Sequence, residues 1–451
     1  MNSLLLHCEK TPKYLGFILD PEISCNKHID SLVNRAKIRL NVMKFISGRD
    51  WGADAKTLRT TYISVVRPVL EYGFQIYHVA SNTNLQKLER VQLSAARIIT
   101  GLRRSTPSNI VLYKADLQPL RDRCIPNLIK YFSKLYSYRF QHRTANFLCG
   151  WKNTQRLKRY SPLGHAEKLD VLQPIVSSNS LKPIASPLDK LSGVYFHTEL
   201  LTYTNKSSQH PEFLRQAALE VINNIPSEAV LIYTDGSKDE NGHTGSGVVI
   251  KSGNEETFLS QRNPDFSSVF GSELIAIDMA LGFSLDHQLI GEIWLLVDSR
   301  SVIQYLENWR NIVDQRGIRV FEKLKLMSKS SAIHFQWIPS HVNLKYNDIA
   351  DSLAKKGSSL TLNSAEPLTF QEMHSRSKAL VNSSWKLPPS HPWYLGSGPG
   401  GALSFGGARQ DQTALSRFKS GHLKTLRFSG GNKVHVMSDD RGFFKADSPV
   451  P

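Results

Sequence analysis

Four carboxylates and one imidazole in the middle of this 451-residue chain have the residue types for metal-assisted phosphoryl chemistry. Asp235 follows the apolar run Leu231-Ile232-Tyr233 and leads into Gly236-Ser237. Glu273 stands near the start of SELIAIDMALGF, Asp298 near the end of EIWLLVDS, and Asp351 within NDIADSLAKKG, ten residues after His341. Carboxylates gathered in one place repel each other and stay ionised only when a cation offsets the repulsion. An all-oxygen ligand set selects a hard ion, Mg²⁺ or Mn²⁺, and Mg²⁺ readily takes phosphate oxygens as further ligands. Two such ions about 3.5–4 Å apart activate a water and stabilise the leaving oxygen of a phosphodiester. A histidine on a neighbouring loop can carry a proton or assist product release.

The elements that must position these groups are legible in the hydrophobic pattern. EAVLIYT, from residue 228, predicts a strand that ends at Asp235, with Gly236 and Ser237 in the turn after it. HTGSGVVIKSG and NEETFLSQR predict an antiparallel meander turning at Gly253-Asn254. SELIAIDMALGF predicts a helix with Glu273 in its first turn, and EIWLLVDS a strand delivering Asp298. Two helices, SVIQYLENW and DQRGIRVFEKLKLMSK, precede the strand AIHFQWIPSH, and NDIADSLAKKG predicts a last helix with Asp351 near its start. The order is β-β-β-α-β-α-α-β-α, an α/β layer on a mixed five-stranded sheet. Functional crevices in such sheets lie at the carboxyl ends of strands, where Asp235 and Asp298 stand. Spacing alone does not bring the four acids together. Singly, each has an ordinary explanation: Asp235 closing a turn, Glu273 favouring a helix start, Asp298 preceding a cap, Asp351 a solvated helix residue, His341 a loop histidine.

Charge separates the chain into regions. The net charge is +17, with +13 in residues 1–150 and −4 in residues 228–360. The basic N-terminal third suits a polyanion, nucleic acid first, and the acidic middle suits a carboxylate-lined metal site. Residues 28–48, 55–73, 84–101 and 125–140 read as helices, the second kinked at Pro68 and the third stopped by Gly101. Four cysteines without a CxxC pair argue against a disulfide framework or a zinc module. No apolar run approaches a membrane span, and the N-terminus does not form a signal peptide. The expectation is an intracellular protein of cytoplasm or nucleus, monomeric and without a membrane partner. The glycine-rich LGSGPGGALSFGGARQ has neither a GKS/T ending nor a preceding strand and reads as a linker, not a phosphate loop.

YTDGSK, SELIAI, LLVDSRSVIQ and WIPSHVNLKYNDIADSLAKKG resemble, in order, the motifs of type 1 ribonuclease H domains, in the version carried by non-LTR retrotransposon polyproteins of animals. The resemblance covers roughly residues 228–357. It implies that Asp235, Glu273, Asp298 and Asp351 bind metal, two Mg²⁺ ions with Mn²⁺ able to substitute, and that His341 is the mobile-loop histidine. It further implies cleavage of the RNA strand of RNA–DNA hybrids, leaving 5′-phosphate ends. Gly236 and Ser237 would contact the nucleic-acid backbone. One departure concerns the histidine loop: Asn343 and Tyr346 replace glycines of the family, and tyrosine tolerates left-handed backbone poorly.

KYLGFILD, DWGADAKTL, VRPVLEYG and LERVQLSAARIITG resemble the segment after the polymerase palm of non-LTR reverse transcriptases, a thumb-like region. No Tyr-X-Asp-Asp box occurs in the chain, so polymerisation by this chain alone is not expected. QDQTALSRFKSGH resembles the segment these polyproteins carry beyond their ribonuclease H, and the chain reads as a copy truncated at both ends. The expected organisation is a helical thumb-like fragment over 1–145, a partly ordered linker over 146–226, the ribonuclease H domain over 227–360, and a largely irregular extension over 361–451. The alternatives are a catalytically inactive nucleic-acid-binding relic of the same element and a related-fold DNA nuclease of the transposase or integrase kind.

Overall fold

The computed structural model describes residues 9–22, 24–48, 51–138, 143–150, 190–202, 209–312, 314–362, 368–391, 394, 396, 398–421, 426–429, 432–435 and 444–445. Much of the expected linker, residues 151–189, lies outside them. The chain divides into two compact units, one holding the described residues up to Tyr131 and from Ser377 onward, the other those from Phe132 to Arg376.

The first unit is mainly helical. Ile29, Leu32, Val33, Ala36, Leu40 and Met43 recur at helical spacing, and all are buried on one face of the helix Asn26–Ile46. The helix Asn82–Thr100 buries Leu88, Val91, Ala95 and Ile99 and ends at Gly101, whose φ of 68° supplies the left-handed cap. The break expected at Pro68 is spread over a π-helical stretch, Tyr62–Val66, between the α-helical segments Ala55–Thr61 and Arg67–Glu71. Proline cannot donate to the helix ladder, and a wider turn accommodates the missing bond. The extension after 361, expected to be largely irregular, carries the helix Arg409–Lys419 and the start-to-end helix Phe370–Lys386. The inner face of Arg409–Lys419 is polar. Arg409 donates to the Ile99 carbonyl at 2.8 Å, and Gln412 accepts from the Ala55 amide at 2.9 Å. An apolar-periodicity reading passes over such a helix.

The second unit is built on one sheet. Its elements are β1 (Val194–His197), α1 (Pro211–Asn223), β2 (Val230–Lys238), β3 (Thr244–Ser252), β4 (Glu255–Arg262), α2 (Val269–Asp286), β5 (Gly291–Val297), α3 (Arg300–Glu307), α4 (Gln315–Met327), β6 (Ser331–Trp337), α5 (Lys345–Ser358) and α6 (Phe370–Lys386). Only the first turns of α6, through Arg376, belong to this unit. The sheet order is β1-β6-β5-β2-β3-β4. It has six strands rather than the five expected, because β1 adds itself parallel to the edge strand β6, Val194 opposite Ile333 and His197 opposite Gln336. Four residues in a patternless stretch give too short a signal to read as a strand.

Alternation along the strands feeds two cores. Ile232, Val248, Leu295 and Phe335 pack with Ile277 and Leu281 of α2, Val302 of α3 and Phe321 of α4. The neighbouring positions Tyr233, Val249 and Leu296 point to the other face, against Leu214 and Ala218 of α1 and Ala350 of α5. Each fully buried aliphatic side chain contributes about 1.5–3 kcal/mol over its exposed state. With cores on both faces, the strand ends are held from above and below.

Candidate active site

Asp235 lies inside β2, not at its end. The ladder with β3 runs on past it, pairing Asp235 with Gly247, Gly236 with Ser246, Ser237 with Gly245 and Lys238 with Thr244. The expected Gly-Ser turn is therefore strand, because an equally long partner extends the pairing. Gly236 is buried, and its amide donates to Asp235 Oδ1 at 2.7 Å. That amide faces the acidic cluster, and Ser237 is half-buried beside it. Gly236 is needed for close approach: a Cβ there would lie 2.5 Å from the Glu273 amide nitrogen. The missing side chain lets α2 press against β2.

Glu273 reaches the cluster from the second turn of α2. The helix begins at Val269, capped by Ser268, whose hydroxyl accepts from the Gly271 amide at 2.9 Å. It starts three residues earlier than SELIAI suggests, so Glu273 is removed from the helix's positive end. Asp298 sits immediately after β5, where the Trp337 indole donates to its carbonyl at 3.2 Å. The Arg300 guanidinium lies 4.0 Å over the Trp337 ring and helps fix that turn. Sequence reasoning did not single out Trp337 or Arg300, although both lie within its motifs.

One oxygen from each of Asp235, Glu273 and Asp298 lies within 4.8 Å of the others. Asp351, in the second turn of α5, faces Asp235 from the side and interacts with it through charge and a side-chain oxygen. Its Oδ2 is also 2.6 Å from Lys355 Nζ, one helical turn on. His341 is exposed on the loop after β6 and is not one of the three clustered residues. The loop has left-handed backbone at His341 (φ 58°) and Asn343 (φ 56°). Tyr346 is not in that loop conformation, contrary to the sequence-based concern. It belongs to the first turn of α5, its ring 5.4 Å from that of Tyr233 and its hydroxyl 2.6 Å from Glu256. The strained position is the histidine itself. Arg215 of α1 braces the loop by donating to the Asn343 carbonyl at 3.3 Å.

Burial pushes the Asp235 carboxyl up to about 7, helped by the charges of Asp298 and Asp351. Burial and the same kind of repulsion, from Asp298 and Asp235, push Glu273 well up, against the pull of the Gly236 amide. Glu273 Oε2 is buried without a hydrogen-bond partner. A buried, unsatisfied carboxylate oxygen among other carboxylates fits a hard divalent cation and little else.

Residues 227–359 match the protein family described as RNase H. These residues form an RNase H domain. Among curated relatives, the RNA-directed DNA polymerase from mobile element jockey of Drosophila funebris is 32% identical over 99 residues, 22% of this chain and 11% of that protein. The probable RNA-directed DNA polymerase from transposon X-element of Drosophila melanogaster is 27% identical over 153 residues, 33% of this chain and 16% of the relative. The chain thus matches only a small part of those proteins' length. Among solved structures, RNase H1 from the halophilic archaeon Halobacterium salinarum aligns over 29% of this chain and 96% of its own, at 23% identity and a TM-score of 0.25. No helix among the described residues is long and apolar enough to cross a membrane.

The raised carboxyls of the RNase H domain set a pH dependence. Without metal, the folded state holds protons that the unfolded chain has released. The stability from Asp235 is therefore present below its ordinary value of 3.8 and lost as pH rises through about 7. A bound cation requires the deprotonated form. The rise in Tm on adding Mg²⁺ is expected to be about 3 °C larger at pH 8 than at pH 6. Thermal melts with and without Mg²⁺ at the two pH values check this, and an equal or smaller shift at pH 8 contradicts it.

Proposed function

We propose that this domain is a Mg²⁺-dependent endonuclease that cuts the RNA strand of RNA–DNA hybrids. The observation that carries the reading is the cluster of Asp235, Glu273 and Asp298 with its unsatisfied buried oxygen, in a domain whose family is named for that activity. Asp235, Glu273 and Asp298 would hold Mg²⁺, and Asp351 would complete a second site beside Asp235. Mn²⁺ has the same ligand preference and substitutes. The bound ion supplies charge for the leaving oxygen and lowers the pKa of a water.

The chain's own groups do the rest. Asp235 on β2 and Asp298 just past the end of its parallel neighbour β5 set the spacing of the ligand oxygens. Glu273, brought against β2 by the absence of a side chain at Gly236, closes the inner side of the cluster. His341, on its braced loop, is the group for proton transfer, and Ser237 contacts the backbone of the substrate. Residues 1–145, with their positive charge and the resemblance to a polymerase thumb, act in holding nucleic acid.

The test uses the full chain with a hybrid labelled on its RNA strand, beside duplex DNA and duplex RNA, in Mg²⁺ and in EDTA. RNA fragments with 5′-phosphates from the hybrid alone, only in Mg²⁺, are the expected products. Cleavage of duplex DNA instead assigns the domain to the DNA-nuclease class. Hybrid binding without cleavage makes the protein an inactive nucleic-acid-binding relic.

A further inference from the structure

The RNase H match stops at residue 359, yet a buried carboxylate from beyond it is built into the start of the catalytic helix. Glu372, on the first turn of α6, has a side chain only 4% exposed, and Arg316, near the start of α4, only 2%. Arg316 Nη1 lies 2.9 Å from Glu372 Oε1. The same oxygen accepts from the Ser267 hydroxyl at 2.6 Å and from the Ser268 amide at 3.0 Å, with the Ser268 hydroxyl at 3.3 Å. Glu372 Oε2 accepts from the Thr369 amide at 2.9 Å and the Thr369 hydroxyl at 3.1 Å. Ser267 and Ser268 form the entry to α2, and Ser268 is its cap. One carboxylate therefore ties together the first turn of α6, the start of α4 and the start of α2.

The arrangement has a direct line to the site. Burial favours the neutral form of Glu372, but the Arg316 charge and the hydrogen bonds from Ser267, Thr369 and Ser268 hold its carboxyl below the ordinary glutamate range. It stands as a fixed anion at the positive end of α2. Glu273 is five residues after Ser268 on the same helix, with its own carboxylate in the metal cluster. A helix is stiff over so short a span, so a tilt or fraying at Ser268 moves Glu273.

We infer that Glu372, acting through Ser267 and Ser268, is a positioning residue for Glu273, and that the working nuclease unit continues past residue 359 into α6. This rests on the reading of the acidic cluster as a metal site.

The experiment compares the full chain with Glu372→Gln, the double variant Arg316→Met/Glu372→Met, and Val320→Ala, a core truncation in α4 away from the cluster. Amide hydrogen exchange, Mg²⁺ affinity by calorimetry and hybrid cleavage are measured on each. Glu372→Gln leaves a buried guanidinium without its carboxylate and is expected to lower Tm by about 10 °C. It is also expected to speed exchange at the amides of residues 270–274 and to weaken Mg²⁺ binding, each about tenfold. The double variant removes both charges and recovers Tm, yet still lacks the anchor on Ser267 and Ser268, so exchange and Mg²⁺ affinity stay impaired. Val320→Ala loses Tm through its cavity and keeps both. Should Glu372→Gln lose only Tm, with exchange and Mg²⁺ affinity like those of Val320→Ala, the residue is a staple and the positioning role is refuted. A wild-type chain that neither binds Mg²⁺ nor cuts a hybrid refutes the metal-site reading instead, and exchange at residues 270–274 still decides whether Glu372 fixes the helix start.

Discussion

Asp235→Asn is expected to abolish hybrid cleavage while making the metal-free protein more stable. The loss follows from the position of the side chain, a carboxylate that both Glu273 and Asp351 face. Asparagine keeps the shape but not the charge, so the cluster loses its central ligand. A fall in kcat of at least about 10³-fold, roughly 4 kcal/mol of transition-state stabilisation, is the scale for removing such a group. The gain has the same origin. Above pH 7, holding Asp235 ionised in its buried setting, among like charges, costs about 4 kcal/mol. Removing that charge raises the metal-free Tm by about 8–16 °C at pH 8 and by little at pH 4, close to the ordinary aspartate value of 3.8, where both folded and unfolded forms take up the proton. Melts in EDTA at both pH values, alongside a cleavage assay in Mg²⁺, check the pair of effects. Cleavage that survives the substitution sinks the site assignment. Lost cleavage with a Tm gap that fails to widen with pH sinks the electrostatic account of it.

The second large effect comes from a residue with no chemistry. Gly247 is the β3 partner of Asp235, and α5 crosses directly over it. A Cβ at Gly247 would sit 2.2 Å from the Ala350 carbonyl oxygen and 2.5 Å from the Ala354 amide nitrogen. Both atoms are backbone, so no rotamer change relieves the clash and α5 must back away. Asp351 is the residue after Ala350 and moves with it. Gly247→Ala is expected to cost about 3 kcal/mol of stability, the upper part of the range for overpacking, and to lower cleavage by about tenfold or more. The thermal melt gives the first number, and single-turnover kinetics well below Tm give the second. An alanine variant with normal kinetics removes the claim that helix-to-strand distance sets the place of Asp351.

The path from sequence to site was clearest where the physics is local. Asp298 was legible because an uninterrupted apolar strand must end at a polar residue, and the meander because Gly253-Asn254 is a turn signal; Gly253 indeed has φ 59°. The strand leading to Asp235 is legible but its end is not, since only the length of β3 decides that β2 continues to Lys238. The start of α2 was misplaced because its cap, Ser268, precedes Val269 and Phe270, which read as ordinary loop apolars. The left-handed backbone fell on His341 and Asn343 instead of Tyr346, because α5 begins one residue before the tyrosine. The buried Glu372–Arg316 pair was beyond sequence reasoning altogether: two charges 56 residues apart carry no periodic signal. The same holds for β1 and for the polar inner face of Arg409–Lys419, where the pattern that sequence reading depends on is absent.

The two close contacts at Gly236 and Gly247 bear on how such a site can be lost by substitution. Here a single methyl group at Gly236 presses on the backbone of Glu273, and one at Gly247 on the backbone beside Asp351, so either shifts an acid while leaving every acid in the sequence. A copy can thus fall silent without losing a letter of its active-site signature.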